Sequence, residues 1–428
     1  MKSNRRNRFL SFLRNFFAAP ALVISFFGAA HAAPIAWSGT TSTAWATGTN
    51  WTGGSAPAND ITTDTALFNL TTYPNQTNAG TTSVTGLTIG DGTIAAAALT
   101  LSGTQLTVGA SGIDKKAASL AATVSSPVTL GAAQTWQNAS STLLTASGAI
   151  TGGANLLTVG GSGNTTISGV YGSTGGLTKS GAGTLTLSGN NTYTGATTVS
   201  AGTLVVQTPA LATSSSIYAG GFSVGSGVAL TLDVSAMASV TNLQFGTIAL
   251  SGSTLNLISA QTAADGFLFR GTTFSGTGTV NKTGAGYISV NWGGAPSSWT
   301  GFTGTFNVTA GTIGSNIPIN DMPNVAINLN GGAMDVRTGT WKIGTLTGSG
   351  AVNSTNAGGI GLSVGGDNGS GTYSGVMSNG SAALTLTKVG TGTQTFTGAN
   401  TYTGATTISA GTLEIGGAGK LGNGAYAG

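Results

Sequence analysis

Apolar and polar residues alternate in short runs along most of the chain. In residues 184–188 every second position is a leucine, and hydroxyl residues occupy the positions between. The same period of two recurs at 99–101, 247–250, 254–257 and 384–386. Such runs, about four to six residues long and ending near Gly, Asn or Ser, indicate strands followed by tight turns. No run after the N-terminal segment has the helical period, so almost no helix is predicted.

One segment of the chain occurs twice with few changes. Residues 177–206 read LTKSGAGTLTLSGNNTYTGATTVSAGTLVV, and residues 386–415 read LTKVGTGTQTFTGANTYTGATTISAGTLEI. The copies are identical at 21 of 30 positions without a gap. A degenerate third copy at 280–313 keeps the opening Lys-x-Gly-x-Gly and an Ala-Gly-Thr near its end. Internal similarity of this kind is typical of an array of supersecondary units.

The repeated unit contains strands and glycine turns but no helix. This predicts an all-β fold, a right-handed single-stranded parallel β-helix (solenoid), in which each coil lies on the previous one. Inward Leu185, Leu187 and Leu204 are expected to fill the interior, with Thr and Ser outside. Asn191 and its counterpart Asn400 are expected to stack in side-chain ladders. At roughly 20–25 residues per coil, the chain would make on the order of 16–20 coils.

Two other architectures compete with the solenoid. An antiparallel sandwich and a propeller are also built from many short strands separated by Gly-rich turns. Neither explains a repeated unit that varies in length and yet keeps one pattern. The parallel solenoid is therefore the favoured prediction.

The N-terminal segment has the composition of an export signal. Residues 1–32 contain five Lys and Arg, an apolar run from Phe16 to Ala30, and then Ala30-His31-Ala32, which resembles a cleavage site. The apolar run is short for a membrane span, so an uncleaved anchor is the weaker alternative. We expect a signal peptide at 1–32 cleaved after Ala32. The mature chain would then be secreted or displayed on the cell surface, with export machinery as a partner and no membrane span.

Loss of this segment changes the charge and the available chemistry. The 428-residue chain has 14 Lys and Arg, 10 Asp and Glu, one His and no Cys. Five basic residues and the His lie within 1–32, so the mature chain carries nine basic and ten acidic residues, a net charge of −1. These absences exclude Ser–His–Asp and Cys–His catalysis and a Cys/His zinc site. The net charge of −1 also leaves no basic surface for nucleic acid. No cofactor or metal is expected.

Carboxylates are few and scattered, whereas glycoside hydrolysis uses a pair of them. Asp335 and Arg337, two residues apart, predict a surface ion pair on one strand face. Residues 365–369, GGDNG, predict a turn and not a calcium site. The alternative to a non-catalytic protein is a polysaccharide-active β-helix enzyme, a hydrolase or lyase. Its site would bring together Asp321, Asp335 and Arg337.

Three tryptophans lie close together near the start of the mature chain. Trp37, Trp45 and Trp51 fall within 33–83, a region predicted to form an N-terminal cap before a β-helix at 84–428. Bulky aromatic side chains are expected to cover the open end of a strand stack, where free edges invite association. The alternative is a glycan contact, in which exposed indoles stack on sugar rings.

The two copies resemble the passenger-associated transport repeat, also called the autotransporter-associated β-strand repeat. Lys179, Gly181, Asn191, Tyr193 and Gly202 stand where that pattern has them. The resemblance implies an exported β-helical passenger region at, or released from, a bacterial surface, and it brings no catalytic residues. We therefore expect an exported non-catalytic structural protein, a stalk or an adhesin. Its partners would be glycans or the surfaces of host or neighbouring cells.

Overall fold

A computed structural model describes residues 34–207, 218–236, 242–243, 245–262, 268–291, 295–315, 317, 319–337, 339–355 and 360–422. All of them belong to the unit Ala33–Gly428. The predicted signal peptide at 1–32 and its cleavage after Ala32 lie outside the described residues.

The period-two pattern produces short strands throughout this part of the chain. The first are β1 (Ile35–Ala36), β2 (Thr65–Phe68), β3 (Thr77–Asn78), β4 (Thr81–Ile89), β5 (Leu99–Ser102), β6 (Gln105–Lys115), β7 (Ala122–Val124), β8 (Val128–Leu130), β9 (Gln134–Asn138), β10 (Leu144–Ala146), β11 (Ile150–Gly153), β12 (Leu157–Gly160) and β13 (Thr165–Ile167). They are followed by β14 (Tyr171–Ser173), β15 (Leu177–Lys179), β16 (Thr184–Leu187), β17 (Thr197–Val199), β18 (Thr203–Gln207), β19 (Phe222–Val224), β20 (Ala229–Asp233), β21 (Asn242–Leu243), β22 (Thr247–Ile258), β23 (Leu268–Phe269), β24 (Thr273–Thr283), β25 (Tyr287–Ser289) and β26 (Ser298–Val308).

The remaining strands continue the same pattern to the end of the described chain. They are β27 (Thr312–Gly314), β28 (Ile319–Met322), β29 (Val325–Leu329), β30 (Ala333–Asp335), β31 (Gly339–Ile343), β32 (Leu346–Gly348), β33 (Val352–Asn353), β34 (Ile360–Val364), β35 (Gly371–Tyr373), β36 (Leu384–Lys388), β37 (Thr393–Phe396), β38 (Thr406–Ile408) and β39 (Thr412–Ile415). The helical content of the described residues is one short 3-10 turn, Gly48–Asn50, which confirms the prediction of almost no helix.

The strands stack in parallel ladders. The first ladder runs β1–β2–β4–β6–β9–β12–β15–β17–β19–β22–β24–β26. The second ladder runs β3–β5–β7–β10–β13–β16–β18–β20–β22–β24–β26–β29–β32–β35–β37–β39. Every pairing between these strands is parallel, which confirms the β-solenoid and rules out the antiparallel sandwich and the propeller. Its right-handed winding stays a prediction.

Further ladders complete the solenoid wall. β21, β23, β25, β27, β30 and β33 form a separate sheet, and β28, β31, β34, β36 and β38 form another. Long strands such as β4 and β22 serve two ladders, because a shift of register at Val84/Gly86 and at Ser251/Ser253 bends each strand around a corner. The wall therefore turns at these shifts, and the parallel pairing continues on either side of each.

Coil length varies along the solenoid. Leu157 pairs with Leu177 in one coil, whereas Phe222 pairs with Ile248 in a later coil, which is longer. The first coil is longer still, because the partner of Ile35 lies in β2. The solenoid has about 14 turns, and sixteen strands stack in its second ladder, which places it at the lower end of the predicted 16–20 coils.

The inward faces form one apolar interior. Leu185, Leu187 and Leu204 are fully buried, and Leu185 lies directly beneath Leu204 in the second ladder, which confirms the predicted facing. Burial of each such side chain contributes about 1.5–3 kcal/mol. The predicted boundary between a cap at 33–83 and the solenoid at 84–428 falls inside β4. Parallel pairing already begins at β1, so the region before residue 84 contains the first coils.

Candidate functional site

Lysines occupy inward positions at the ends of four strands. They are Lys115 in β6, Lys179 in β15, Lys282 in β24 and Lys388 in β36, and each is at most 2% exposed. Strand alternation explains this position, because an apolar inward residue stands two places earlier in every case: Ile113, Leu177, Val280 and Leu386.

Main-chain carbonyls receive the ammonium group of each lysine in the two copies of the 30-residue segment. The Nζ of Lys179 donates to the carbonyl oxygen of Gly181 and, at 3.2 Å, to that of Ala201. The Nζ of Lys388 donates to Gly390 at 3.0 Å and to Ala410 at 3.4 Å. The first acceptor lies in the turn after the lysine and the second in the matching turn of the next coil. We call this arrangement a lysine corner.

The degenerate copy has a lysine corner too. The Nζ of Lys282 donates to the carbonyl oxygens of Thr283 at 2.9 Å, Gly284 at 2.7 Å and Ala310 at 3.1 Å. It lies on the second ladder, whereas Lys179 lies on the first. The degenerate segment therefore keeps the contact while occupying a different face of the solenoid.

A fourth corner lies outside any copy. The Nζ of Lys115 donates to the carbonyl oxygen of Thr142 at 3.1 Å and to its Oγ1 at 2.8 Å. It also reaches the carbonyl oxygen of Ser119 and the Oδ1 of Asn138, both at 3.4 Å. The geometry is again that of an ammonium held between two consecutive turns.

Burial disfavours the charged form of these lysines, although their ammonium groups are hydrogen-bonded. It lowers the pKa of Lys115, Lys179 and Lys282 to about 8, because a desolvated ammonium is disfavoured. Burial also lowers the pKa of Lys388, and the negative charge of Asp367 opposes that shift. The carbonyl hydrogen bonds compensate the ammonium groups for lost water.

A glycine closes the lysine corner in each copy of the 30-residue segment. Gly202 has φ +68° and Gly411 has φ +69°, in the left-handed region that favours glycine. A Cβ on Gly202 would lie 2.4 Å from the carbonyl oxygen of Gly181, and one on Gly411 would lie 2.4 Å from that of Gly390. Glycine is therefore required both by the backbone conformation and by the close approach of the next turn.

Asparagine and tyrosine side chains join neighbouring coils at the other end of the segment. The Oδ1 of Asn191 accepts the backbone N–H of Tyr171 at 2.9 Å. Its counterpart Asn400 accepts that of Met377 at 2.8 Å. Both asparagines are buried, and the amide nitrogen of Asn400 also donates to the carbonyl oxygen of Lys420 in the next coil at 2.8 Å. The prediction of a side-chain ladder at Asn191 and Asn400 was wrong, because no hydrogen bond among the described residues joins either side chain to another asparagine.

Tyrosine hydroxyls also match between the copies. The hydroxyl of Tyr193 lies 2.7 Å from the Oγ1 of Thr197, and that of Tyr402 lies 2.7 Å from the Oγ1 of Thr406. The two copies thus agree in their lysine, glycine, asparagine and tyrosine contacts.

A family model described as the passenger-associated-transport-repeat matches residues 177–206 and 386–415. The chain contains two passenger-associated transport repeats. Neither a search of curated proteins nor a search of solved structures found a match. The transport repeat implies a secreted or surface location. No helix within the described residues is long and apolar enough to cross a membrane.

Between the two transport repeats lies an asparagine row that the sequence analysis missed. Asn256, Asn281, Asn307 and Asn328 are in register on the outward side of the second ladder. Each amide nitrogen from Asn281 onward donates to the Oδ1 of the preceding asparagine, at 3.1, 2.9 and 3.2 Å. The signal was present, since each asparagine stands between two inward apolar residues or an apolar residue and a lysine.

The three tryptophans near the start of the solenoid pack together. Trp37, Trp45 and Trp51 are at most 3% exposed, and their ring centroids lie 5.0 Å (Trp37–Trp51) and 4.7 Å (Trp45–Trp51) apart. All three pack on Phe68. This burial disfavours the alternative of a glycan contact, because no indole face is open to a sugar. The cluster instead fills the interior of the first coils.

The structure separates the residues of the predicted enzymatic site. Asp335 and Arg337 form an ion pair at 3.7 Å, but Asp335 is buried and also accepts two hydrogen bonds from Thr355. The pair is therefore not the surface pair that was predicted. Asp321 belongs to a different sheet, where its carboxylate lies 2.9 Å from the Nζ of Lys342.

Residues 365–369, the GGDNG segment, form a turn in which the carboxylate of Asp367 is hydrogen-bonded. Asp367 accepts the N–H of Gly369 at 3.0 Å and the Oγ1 of Thr345 at 2.9 Å, and Asn368 has φ +60°, which is the turn predicted for 365–369. No group of three or more His, Cys, Asp or Glu in the described part of the chain could hold a metal ion.

Proposed function

We propose that the protein is an exported, non-catalytic structural protein of the passenger type, serving as a stalk or an adhesin. The observation that carries this proposal is the unbroken second ladder from β3 to β39, in which each coil rests on the one before. Repetition of one stabilising unit gives a scaffold that extends in one dimension. The transport repeats support its export.

The outward surface supports an adhesive role. Thr100, Thr123, Thr145, Thr166 and Thr186 lie in register on five consecutive coils of the second ladder. A serine follows two positions after each of them, on the same face. Neither column contains a charged residue. Such a surface recognises a partner by hydrogen bonds from hydroxyl groups, which fits glycans and cell-surface polysaccharides.

The acidic residues do not favour the enzymatic alternative. Asp335 forms an ion pair with Arg337 and accepts a hydrogen bond from Thr355. Asp321, on another sheet, forms an ion pair with Lys342. Hydrolysis of a glycosidic bond requires two carboxylates facing one substrate.

The decisive experiment presents the purified mature chain with a panel of bacterial and host polysaccharides. Glycan-array binding and release of reducing ends are measured on the same samples. We expect binding without turnover, and we expect binding to weaken when Thr145 and Thr166 are both replaced by lysine. Release of reducing ends that Asp335→Asn abolishes would establish the enzymatic alternative instead.

A further inference from the structure

The lysine corner around Lys282 has the form of a cation site. Three carbonyl oxygens lie 2.7–3.1 Å from its Nζ: one from the last residue of β24, one from the turn that follows it and one from the turn after β26. Lys282 is fully buried, and no ion pair among the described residues involves it. The charge is therefore held by main-chain dipoles alone, as carbonyl oxygens hold a dehydrated monovalent cation.

The other corners show that this is a recurrent device. Lys115, Lys179 and Lys388 each place the Nζ between the carbonyls of two consecutive turns. The side chain supplies the ammonium, while main-chain carbonyls receive it, joined at Lys115 by the side-chain oxygens of Thr142 and Asn138. A backbone pocket remains when a side chain is shortened, so its preference for a cation should survive removal of the lysine.

We infer that each lysine corner is a binding site for a monovalent cation of ammonium size, with the lysine's own ammonium as the resident ligand. The bound cation links one coil to the next, because it is shared by carbonyls of both. When the lysine side chain is shortened, a free ammonium ion occupies the position of the lost Nζ. This role goes beyond a stalk or adhesin function and does not depend on it.

The test is rescue of a shortened side chain. Lys282→Ala removes most of the side chain and leaves the carbonyl pocket empty. Lys282→Met fills the same space with an uncharged side chain of similar length. We expect both variants to unfold at a lower temperature than the wild type. Ammonium or methylammonium chloride should then raise the Tm of Lys282→Ala relative to sodium chloride at equal ionic strength. The rise should increase with the logarithm of the ammonium concentration, as for a ligand of the folded state.

Controls separate this effect from a general influence of salt. The Tm of Lys282→Met and of the wild type should not distinguish ammonium from sodium, and tetramethylammonium, which is too large for the pocket, should rescue no variant. An ammonium effect of equal size in Lys282→Ala and Lys282→Met would overturn the inference.

A measurement on the unaltered protein decides the matter if Lys282→Ala does not fold. Proton–nitrogen NMR of the lysine ammonium groups should show slow hydrogen exchange for the four corner lysines. The exposed Lys342 should exchange fast. Fast exchange at Lys282 would refute the site.

Discussion

At the scale of single residues, the facing of each side chain determines what its replacement costs. Leu187 is fully buried beneath Val206, while the adjacent Thr186 points outward in the same strand. Leu187→Asp places an unpaired charge in the apolar interior and should destabilise the protein by about 3–5 kcal/mol. Urea unfolding followed by circular dichroism measures this loss.

Thr186→Asp is the matched control for that prediction. It adds the same carboxylate one position along the strand, on the solvent side, and should change the free energy of unfolding by no more than about 0.5 kcal/mol. Equal losses for the two variants would show that the assigned facing is incorrect.

At the scale of the repeated element, the lysine corners should make the free energy of unfolding change with pH in the alkaline range. Burial lowers the pKa of Lys115, Lys179 and Lys282 to about 8, from an ordinary value of 10.5. Below pH 8 these lysines are protonated in both states, so the cost of burying their charge is fully present. Between pH 8 and 10.5 the unfolded chain binds more protons than the folded one, and the free energy of unfolding should rise.

Buried tyrosines reverse this trend at higher pH. Burial raises the pKa of Tyr73 and Tyr218 from 10.0 to about 12, so above pH 10 the unfolded chain releases protons that the folded protein retains. Stability should therefore pass through a maximum near pH 10. Urea midpoints measured from pH 7 to 11.5 test the curve, and Lys282→Met should reduce the rise but keep the fall. A wild-type midpoint that decreases steadily from pH 8 to 10 would be incompatible with this assignment.

The positions of the strands were largely predictable from the sequence, but the contacts between side chains of neighbouring coils were not. Period-two alternation located the strands, and the two copies revealed the coil because both carry the same glycine turns. The same alternation puts Lys179 on the inward face with Leu177, but a fully buried lysine is uncommon, so the pattern alone does not predict one. The partners of Asn191 depend on which residue of the next coil lies opposite. Because the coils differ in length, a single sequence leaves that register undetermined.

At the scale of the whole molecule, export should shorten the chain. Cleavage after Ala32 would remove five basic residues and the only histidine, leaving Ala33 as the first residue. Mass spectrometry of the secreted protein should find an N-terminal peptide beginning there. Ala32→Leu should leave the uncleaved precursor in the cells, because the cleavage site requires a small residue. A secreted protein that begins at Met1 would contradict the proposed signal peptide.

The central claim is that consecutive coils stack in parallel with one fixed register, and engineered cysteine pairs test it most directly. The chain has no cysteine of its own. Thr145 lies opposite Thr166, and Thr166 lies opposite Thr186, on the outward face. Neighbouring strands are about 4.8 Å apart, within disulfide range, and coils two apart are about twice as far, beyond it. Oxidation should therefore cross-link the cysteine pairs 145/166 and 166/186 within one chain but not 145/186. Cross-linking of 145/186 with free thiols in the two adjacent pairs would contradict the solenoid.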